Sequence, residues 1–199
     1  MIAKFVLIKQ YSFEKKSASE IATILGCSIS KVNYWLKKNG ITKRSISEAV
    51  YSKKNPNGNP FSVTTPLNKK EILLLGLGLG LYWGEGNKKN KSEIRLGNSD
   101  PDLLNCFIHF LEKRYVINRR DLRFSLQVHN DVVVSQVEAF WRNKLNVSKT
   151  QFYKTIVSKS NKKGTYRNKS QNGVLTVYFL NSRLRNHLLG EIEKLRDMA

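Results

Sequence analysis

The sequence predicts an α+β protein with two domains, an all-α domain at residues 1–50 and a domain of antiparallel sheet packed on helices at residues 70–199. Short helical patterns separated by glycine fill the first part, whereas the later part mixes helical patterns with strands of alternating apolar and polar residues. Between them, residues 51–69 are dense in Asn, Gly, Pro, Ser, Thr and Lys. That composition is typical of a linker, so we expect the domain boundary there.

The first domain carries start and stop signals for two helices. Ser17 followed three residues later by Glu20 forms a capping box, so a helix is expected to begin there and to end at Gly26. Ser28 caps a second helix, which Gly40 ends. The sequence therefore predicts two consecutive helices joined by a tight turn.

This helix pair resembles a helix-turn-helix DNA-binding unit, with a small residue, Ala22, where the helices cross and Gly26 in the turn. The shared core is expected to contain Ile21, Leu25, Val32 and either Trp35 or Leu36. The resemblance implies that the second helix enters the DNA major groove. The side chains expected to face DNA are Ser28, Ser30, Lys31, Asn33, Tyr34 and Lys37. An ordinary helical hairpin with a solvated basic face is the alternative.

Among these residues Asn33 is the leading candidate for base contact, because asparagine can form two hydrogen bonds with adenine. Lysines such as Lys31 and Lys37 suit phosphates. A further short helix is expected over residues 42–49, where Lys43 and Arg44 are predicted to reach the DNA backbone.

Composition points to an acidic partner. The 199 residues carry a net charge of +20 and the pI is about 10.1, which makes nucleic acid the leading candidate; a ribosomal or membrane-surface protein would also be basic. The two cysteines, Cys27 and Cys106, lie in different predicted domains and are expected to be free, buried thiols. No zinc-binding spacing and no signal peptide are apparent, so we expect a cytoplasmic, nucleoid-associated protein that does not enter a membrane.

Residues 71–86, EILLLGLGLGLYWGEG, predict a glycine-rich helix with no charged side chain between Ile72 and Trp83. Such a helix is expected to be buried on several sides, and it is too short for a membrane span, which needs about 20 apolar residues. Gly76, Gly80 and Gly84 form one stripe, along which a second helix can approach closely. The residues expected to pack beside this stripe are Leu73, Leu77 and Leu81.

Three other roles can be considered for these glycines. A helix buried in the core of a single chain is the alternative to a helix pair. A dinucleotide-binding loop is not expected because the G-x-G-x-x-G spacing fails at every register, and a phosphate loop is excluded because no G-x-x-x-x-G-K-[ST] occurs.

Glu85 stands at the C-terminal end of this predicted helix, where the helix dipole favours cations over carboxylates. A divalent metal held by carboxylate and carbonyl oxygens would neutralise it. A second copy of the helix, packed along the glycine stripe, would place a second Glu85 nearby. Two such carboxylates predict a site for metal-assisted hydrolysis of phosphodiesters.

Residues 79–86, LGLYWGEG, resemble the signature helix of the LAGLIDADG homing endonucleases. The resemblance implies that this helix forms a dimer interface, that its final acidic residue, here Glu85, binds the catalytic metal, and that a saddle of antiparallel strands lies in the DNA major groove. This chain has Glu where the family usually has Asp, and Trp83 where a second acidic residue often stands.

The resemblance covers residues 70–199, and it implies a homodimer because the chain contains one such helix. The metal would be Mg²⁺, held by Glu85 and a backbone carbonyl such as that of Gly84. Lys88 or Lys89 is the candidate for stabilising the phosphate.

The cleanest strand pattern lies at residues 122–129, where Leu122, Phe124, Leu126 and Val128 are expected to face the core. The opposite face suits base edges, although an ordinary solvent-exposed sheet face fits as well. The residues predicted to contact DNA from the sheet are Arg95, in a shorter strand over residues 93–97, and Arg123, Ser125, Gln127 and His129.

The remaining elements follow the same patterns. Helices are expected from the Pro101 turn to near Tyr115, over residues 132–145 after a cap at Asn130 or Asp131, and over residues 183–195. Strands are expected at residues 152–158 and 174–180. A basic loop between them is predicted to bind phosphates through Lys162, Lys163, Arg167 and Lys169.

Together these features predict a sequence-specific protein for double-stranded DNA, acting as a homing-type endonuclease that makes Mg²⁺-dependent double-strand cuts at a near-palindromic site. A DNA-binding transcriptional regulator without catalysis, built on the same fold, is the second hypothesis. An RNA-binding role, which the same basic sheet would support, is the third.

Overall fold

The computed structural model describes residues 1–159 and 171–198, and the chain divides into two compact units, Met1–Pro60 and Phe61–Ala199. This boundary falls inside residues 51–69, the segment predicted as a linker. Parts of that segment form a helix or regular hydrogen bonds. Its first residues belong to a helix, and the backbone amides of Ser62 and Thr64 donate to the carbonyls of Tyr115 and Arg114 in the second unit.

The first unit is all-α. Its elements are α1 (Lys4–Leu7), a π-helical segment (Ile8–Phe13), α2 (Ala18–Ile24), α3 (Ile29–Lys38) and α4 (Ile46–Lys54). The capping box predicted for α2 is confirmed, since the Ser17 hydroxyl accepts from the Glu20 amide and the Glu20 carboxylate accepts from the Ser17 amide. That backbone hydrogen bond lowers the pKa of Glu20.

A small apolar core holds the first unit together. Its buried members are Ile2, Leu7, Tyr11, Ile21, Ala22, Val32 and Leu36. Leu36 therefore takes the buried position for which two candidates were open, and Trp35 packs at its edge. The prediction for Leu25 was wrong, because this residue lies at the C-terminal cap of α2, where its side chain is exposed. The residues of α1 and the π-helical segment fill the space instead.

The second unit combines helices with one sheet. Its elements are α5 (Lys69–Glu85), β1 (Ile94–Asn98), α6 (Pro101–Tyr115), β2 (Arg123–His129), α7 (Val134–Leu145), β3 (Ile156–Ser158), β4 (Val174–Phe179) and α8 (Ser182–Met198). Short 3₁₀ turns occur at Arg119–Asp121 and Lys149–Gln151. With eight α-helices and four strands in its described part, the protein is α+β, as predicted.

The sheet is mixed, which corrects the prediction of an antiparallel sheet. Its strand order is β1-β4-β2-β3, in which β4 pairs antiparallel with both β1 and β2, whereas β3 runs parallel to β2. The chain reaches β3 from β2 through α7, and a crossover of that length is what a parallel pairing requires. The β3 strand is also shorter than predicted, because Phe152 forms only an isolated bridge with Phe124 before the strand begins.

Alternate strand residues face a core shared with the helices, and the residues that alternate with them on the opposite face are half-buried or exposed among the described residues. The buried set includes the four residues predicted in the cleanest strand pattern. It consists of Leu122, immediately before β2, and the strand residues Ile94, Leu96, Phe124, Leu126, Val128, Leu175, Val177 and Phe179. Helix residues complete this core, among them Phe107, Phe110, Trp141 and Leu188. We call the opposite side the open face of the sheet.

Smaller corrections concern helix starts and cysteines. The N-cap of α7 is Val133, without a side-chain hydrogen bond, rather than Asn130 or Asp131. Cys27 and Cys106 are free thiols as predicted, but both are half-buried rather than buried, and desolvation raises the pKa of Cys106. Within the described residues no helix combines the length and apolarity needed to cross a bilayer.

A buried tyrosine hydroxyl between α6 and α8 is expected to make the unfolding free energy fall at alkaline pH. The Tyr115 hydroxyl donates to the Glu191 carboxylate, and burial together with that carboxylate raises the pKa of Tyr115 above its usual value. A raised tyrosine pKa contributes stability that is present below the unfolded value of about 10 and is lost as pH rises above it.

We therefore expect Tyr115→Phe to lower the unfolding free energy by about 1–3 kcal/mol at neutral pH. The difference between wild type and variant should shrink above about pH 10, because phenylalanine cannot ionise in the unfolded chain. Urea unfolding at neutral and alkaline pH measures both quantities. A difference that stays constant across that range would contradict this account.

Candidate nucleic-acid interface

The turn between α2 and α3 is short and contains Gly26, as the sequence predicts. Gly26 adopts φ +58°, a left-handed conformation that glycine takes without steric cost, and the amide of Cys27 donates to the Ala22 carbonyl at 3.0 Å. Ala22 is buried where these two helices meet the core. The turn therefore sets α3 as a separate helix whose outer side is exposed.

Most of the predicted DNA-facing residues of α3 lie on that exposed side. They are Ser30, Lys31, Tyr34 and Lys37. Ser28 is also exposed, but its hydroxyl caps α3 by accepting a hydrogen bond from the Lys31 backbone amide at 3.2 Å. Its position at the helix N-terminus is as predicted, but the hydroxyl is already engaged.

Three predicted DNA contacts lie around one groove of the first unit. Asn33, Lys37 and Lys43 line an open groove of about 450 Å³ beside Gly40 and Ile41. Asn33 is half-buried there, whereas Lys37 and Lys43 are exposed. The structure thus brings the proposed base contact and two cations together.

Arg44, which was predicted to reach the DNA backbone, also makes side-chain contacts within the protein. Its guanidinium donates to the carbonyls of Lys15 (2.9 Å) and Lys16 (2.6 Å) and lies 4.5 Å from the ring centroid of Tyr11. Its backbone amide donates to the Tyr11 hydroxyl at 3.0 Å. Arg44 therefore fastens the segment after α3 to the π-helical segment, and its contact with the DNA backbone stays a prediction.

The open face of the sheet carries the outward residues of the central strand β2. Ser125, Gln127 and His129 alternate with buried residues, and Gln127 donates to the Ser158 hydroxyl of β3 at 3.3 Å. In register beside Ser125 lies Thr176 of β4. These side chains form a polar surface of hydrogen-bond donors and acceptors, which is the chemistry needed at base edges.

The two arginines predicted on this face are both engaged by protein groups. Arg123 donates from Nη1 to the carbonyls of Arg120 and Leu122, at 2.9 Å each. Arg95 forms an ion pair with Glu93, with 2.6 Å between Nη2 and Oε1. Both remain partly exposed.

The glycine-rich helix α5 is not buried on several sides, which corrects the prediction. Its buried residues are Gly78, Leu79 and Tyr82, all facing the core. On its other side the exposed fractions are 56% for Ile72, 71% for Leu73, 52% for Leu77 and 48% for Trp83. A Cβ built on Gly76, Gly80 or Gly84 would meet no atom within 4 Å.

We call this side the α5 face: Ile72, Leu73, Gly76, Leu77, Gly80, Trp83 and Gly84. It is apolar and uncharged, and within the described part of the chain nothing covers it. Leu73 and Leu77 therefore do not pack beneath the glycines as expected, and only Leu81 of that predicted set is partly buried against the core. An apolar surface of this continuity is unusual in a monomer and typical of an interface.

Glu85 ends α5 with an exposed side chain that forms no hydrogen bond or ion pair with the described residues. The next residues join the helix to the sheet. Gly86 forms an antiparallel bridge with Leu96, and the Asn87 amide donates to the Arg95 carbonyl at 2.8 Å. The carboxylate thus lies at the β1 edge of the sheet.

The two candidate lysines differ. The ammonium of Lys88 donates to the Trp83 carbonyl and closes the C-terminal turn of α5, a position that the helix dipole favours. The Lys89 side chain is exposed, and its backbone amide donates to Asn87 Oδ1 at 3.0 Å. Lys89 is therefore the better placed of the two for a phosphate.

The oxygen donors at the end of α5 fit Mg²⁺ in type. Mg²⁺ prefers carboxylate and carbonyl oxygens and usually binds through one or two carboxylates with its remaining positions held by water or phosphate. Glu85 supplies a carboxylate, and Gly84 lies in the last turn, where carbonyls lack intrahelical donors. Among the described residues no group of three or more His, Cys, Asp or Glu could hold a metal, so a single chain offers few ligands.

Several relevant residues escaped the sequence predictions. Gly78, not the striped glycines, is the one closely packed, because an added Cβ would lie 2.1 Å from the Phe110 ring. Arg185 of α8 donates to the Lys88 carbonyl from 97 residues away, a contact that no local pattern reveals. Tyr178 and Thr176 on the open face of β4 did have a signal, the alternation of that strand. The basic loop residues Lys162, Lys163, Arg167 and Lys169 lie outside the described residues.

Comparisons with protein-family models, with curated proteins and with solved structures found no match to this chain.

Proposed function

We propose that the protein is a homodimeric, sequence-specific DNA-binding protein that cuts both strands of a near-palindromic site with Mg²⁺, as a homing-type endonuclease acting inside the cell. The observation that carries this proposal is the uncovered α5 face with the unpartnered Glu85 carboxylate at its end. The open polar face of the sheet and the net charge of +20 support DNA as the partner.

A second copy of the chain is the occupant that best fits the α5 face. The face has no charge, so a nucleic acid has nothing to neutralise there, whereas an identical apolar helix would be buried by it. Three glycines with no neighbouring atom let two helix backbones approach closely. A two-fold axis along this contact would bring the two Glu85 residues together and give the dimer a symmetric preference for DNA.

Each group at this end of α5 would have its own role in cleavage. Glu85 from each protomer would hold Mg²⁺ together with a last-turn carbonyl such as that of Gly84. When bound, the metal supplies Lewis acidity toward the phosphodiester and lowers the pKa of a water molecule. The exposed ammonium of Lys89 is placed to stabilise the phosphate. The polar face of the sheet, joined to this end of α5 by the Gly86–Leu96 bridge, would position the DNA.

A regulator without catalysis is the second candidate, and one observation favours it. Each chain offers a single carboxylate at this site, with Trp83 rather than an acidic residue two positions earlier. The same dimer would then bind a near-palindromic site and leave it intact.

Selection from a randomised duplex library, followed by incubation of the selected DNA with Mg²⁺ or with EDTA, tests the proposal. We expect enrichment of near-palindromic sites, double-strand cuts in Mg²⁺, and no cuts once EDTA removes the metal. Light scattering should give the mass of a dimer. Enrichment without cutting in either condition would favour the regulator, and a failure to enrich any duplex would overturn DNA binding itself.

A further inference from the structure

Three side chains form a cluster on the open face of the sheet: Arg95, Tyr178 and Tyr153. Arg95 and Tyr178 are register neighbours on β1 and β4, and the guanidinium carbon of Arg95 lies 4.8 Å from the Tyr178 ring centroid. The Tyr153 ring stands nearly perpendicular to that of Tyr178, at 84° and 5.8 Å between centroids. Tyr153 is 45% exposed and the other two are half-buried, so the cluster lies at the surface.

A buried carboxylate fixes the arginine of this cluster. Glu93 is only 7% exposed, and its Oε1 accepts from Nη2 (2.6 Å) and Nε (3.0 Å) of Arg95 and from the Asn90 amide (2.9 Å). The ion pair compensates much of the arginine's charge, which weakens it as a phosphate contact. It also holds the planar guanidinium over the tyrosine, with Nη1 in no hydrogen bond to the described residues.

The geometry points to a stacking site, and we propose that this cluster binds an unpaired base of a nucleic acid. Aromatic rings and fixed guanidinium planes are the surfaces on which protein-bound bases stack, and Nη1 can donate to the base edge. Bases within a duplex are already stacked on both faces, so the ligand is a base outside the double helix, in DNA or in RNA. This inference rests on the proposed function, in that the open sheet face is taken as the nucleic-acid surface.

A purely structural explanation is that the cluster only stabilises pairing between β1 and β4, as cross-strand aromatic pairs do. The two explanations differ in what Tyr178→Leu changes. Loss of the ring contacts with Arg95 and Tyr153 would lower the thermal stability of the sheet without a selective loss of single-strand binding. Base stacking needs a ring, which phenylalanine keeps and leucine lacks.

The test therefore compares Tyr178→Leu with Tyr178→Phe. Single-stranded DNA and RNA of about 12 nucleotides, each with a central 2-aminopurine, would report stacking by loss of fluorescence. We expect Tyr178→Leu to weaken single-strand binding about tenfold and to remove the quenching, while Tyr178→Phe retains both. Duplex binding should fall less than single-strand binding in Tyr178→Leu, because paired bases offer no free face to the ring, and thermal unfolding checks that each variant is folded.

The two proposals fail in different ways. If duplex DNA binds but single strands bind equally well to wild type and Tyr178→Leu, the stacking site is overturned and DNA binding stands. If single strands bind through Tyr178 and duplex DNA does not bind, the stacking site stands and the proposed endonuclease does not. If no nucleic acid binds, both are overturned. Comparison of the DNA and RNA strands shows which of the two supplies the base.

Discussion

Glu85→Gln is expected to abolish DNA cleavage, lowering its rate by about 10³-fold or more, without weakening DNA binding. The variant keeps the size of the side chain and removes the charge that would hold Mg²⁺. In the proposed homodimer both protomers would contribute this residue, so the variant would lose both carboxylates at once. Glu85 is exposed and makes no hydrogen bond with the described residues, so the fold should not change.

Binding in EDTA gives this prediction a second readout. Without metal, two carboxylates beside the DNA repel its phosphates, so Glu85→Gln should bind duplex DNA as tightly as wild type or somewhat more tightly. Glu193→Gln is the matched control, because it makes the same charge change at an exposed position of α8. Wild-type cleavage rates in Glu85→Gln would remove this carboxylate from the mechanism.

Gly78→Ala is expected to lower the unfolding free energy of the second unit by about 1–3 kcal/mol. The added methyl group would lie 2.1 Å from the ring of Phe110, inside a well-packed core where α5 and α6 meet. Either the aromatic ring or the helix must shift to accept it. Urea unfolding of wild type and variant measures the loss directly.

Gly80→Ala is the matched control on the same helix, two residues away. Nothing lies within 4 Å of its Cβ position, and alanine is favoured over glycine inside a helix by about 1 kcal/mol. At concentrations low enough to keep the protein monomeric, this variant should therefore be as stable as wild type or more stable. Equal destabilisation by both changes would show that the packing of α5 differs from that described.

A larger residue at position 80 tests dimer formation separately from folding. Gly80→Leu should leave the monomer folded, yet its side chain would hold two α5 faces apart. Light scattering should then show a monomer, and cleavage should be lost with the dimer. A dimer of undiminished affinity would mean that the α5 face is not where the two copies meet.

The sequence predicted the elements whose signals are local. The capping box of Ser17 and Glu20, the left-handed turn at Gly26 and the alternation from Leu122 to Val128 all depend on neighbours within a few residues, and the structure contains each of them. The exposed outer residues of β2 follow from the same alternation. Position on the open sheet face was therefore predictable for Ser125, Gln127 and His129.

What remained hidden depends on distant partners. The sequence of a helix that is apolar on every side does not show which face is buried. The regular spacing of Gly76, Gly80 and Gly84 therefore did not reveal that Gly78 is the α5 glycine packed against the core. The backbone carbonyls that accept from the Arg44 guanidinium belong to Lys15 and Lys16, which lie 29 and 28 residues earlier, so no local pattern reveals these contacts. The parallel pairing of β3 likewise depends on how the chain passes through α7, which strand patterns do not encode.

The hydrogen bond from Asn87 to Arg95 ties the end of α5 to the edge strand of the sheet. The backbone of Glu85 is therefore linked to β1 through the next two residues, so a change in the twist of β1 is expected to move the point from which the carboxylate projects. If the sheet lies on DNA as proposed, a site that fits the sheet poorly displaces the acidic groups from the bond to be cut. Discrimination between sites would then be sharper in the cutting rate than in affinity, so a protein that binds loosely to many sequences would still cut few of them.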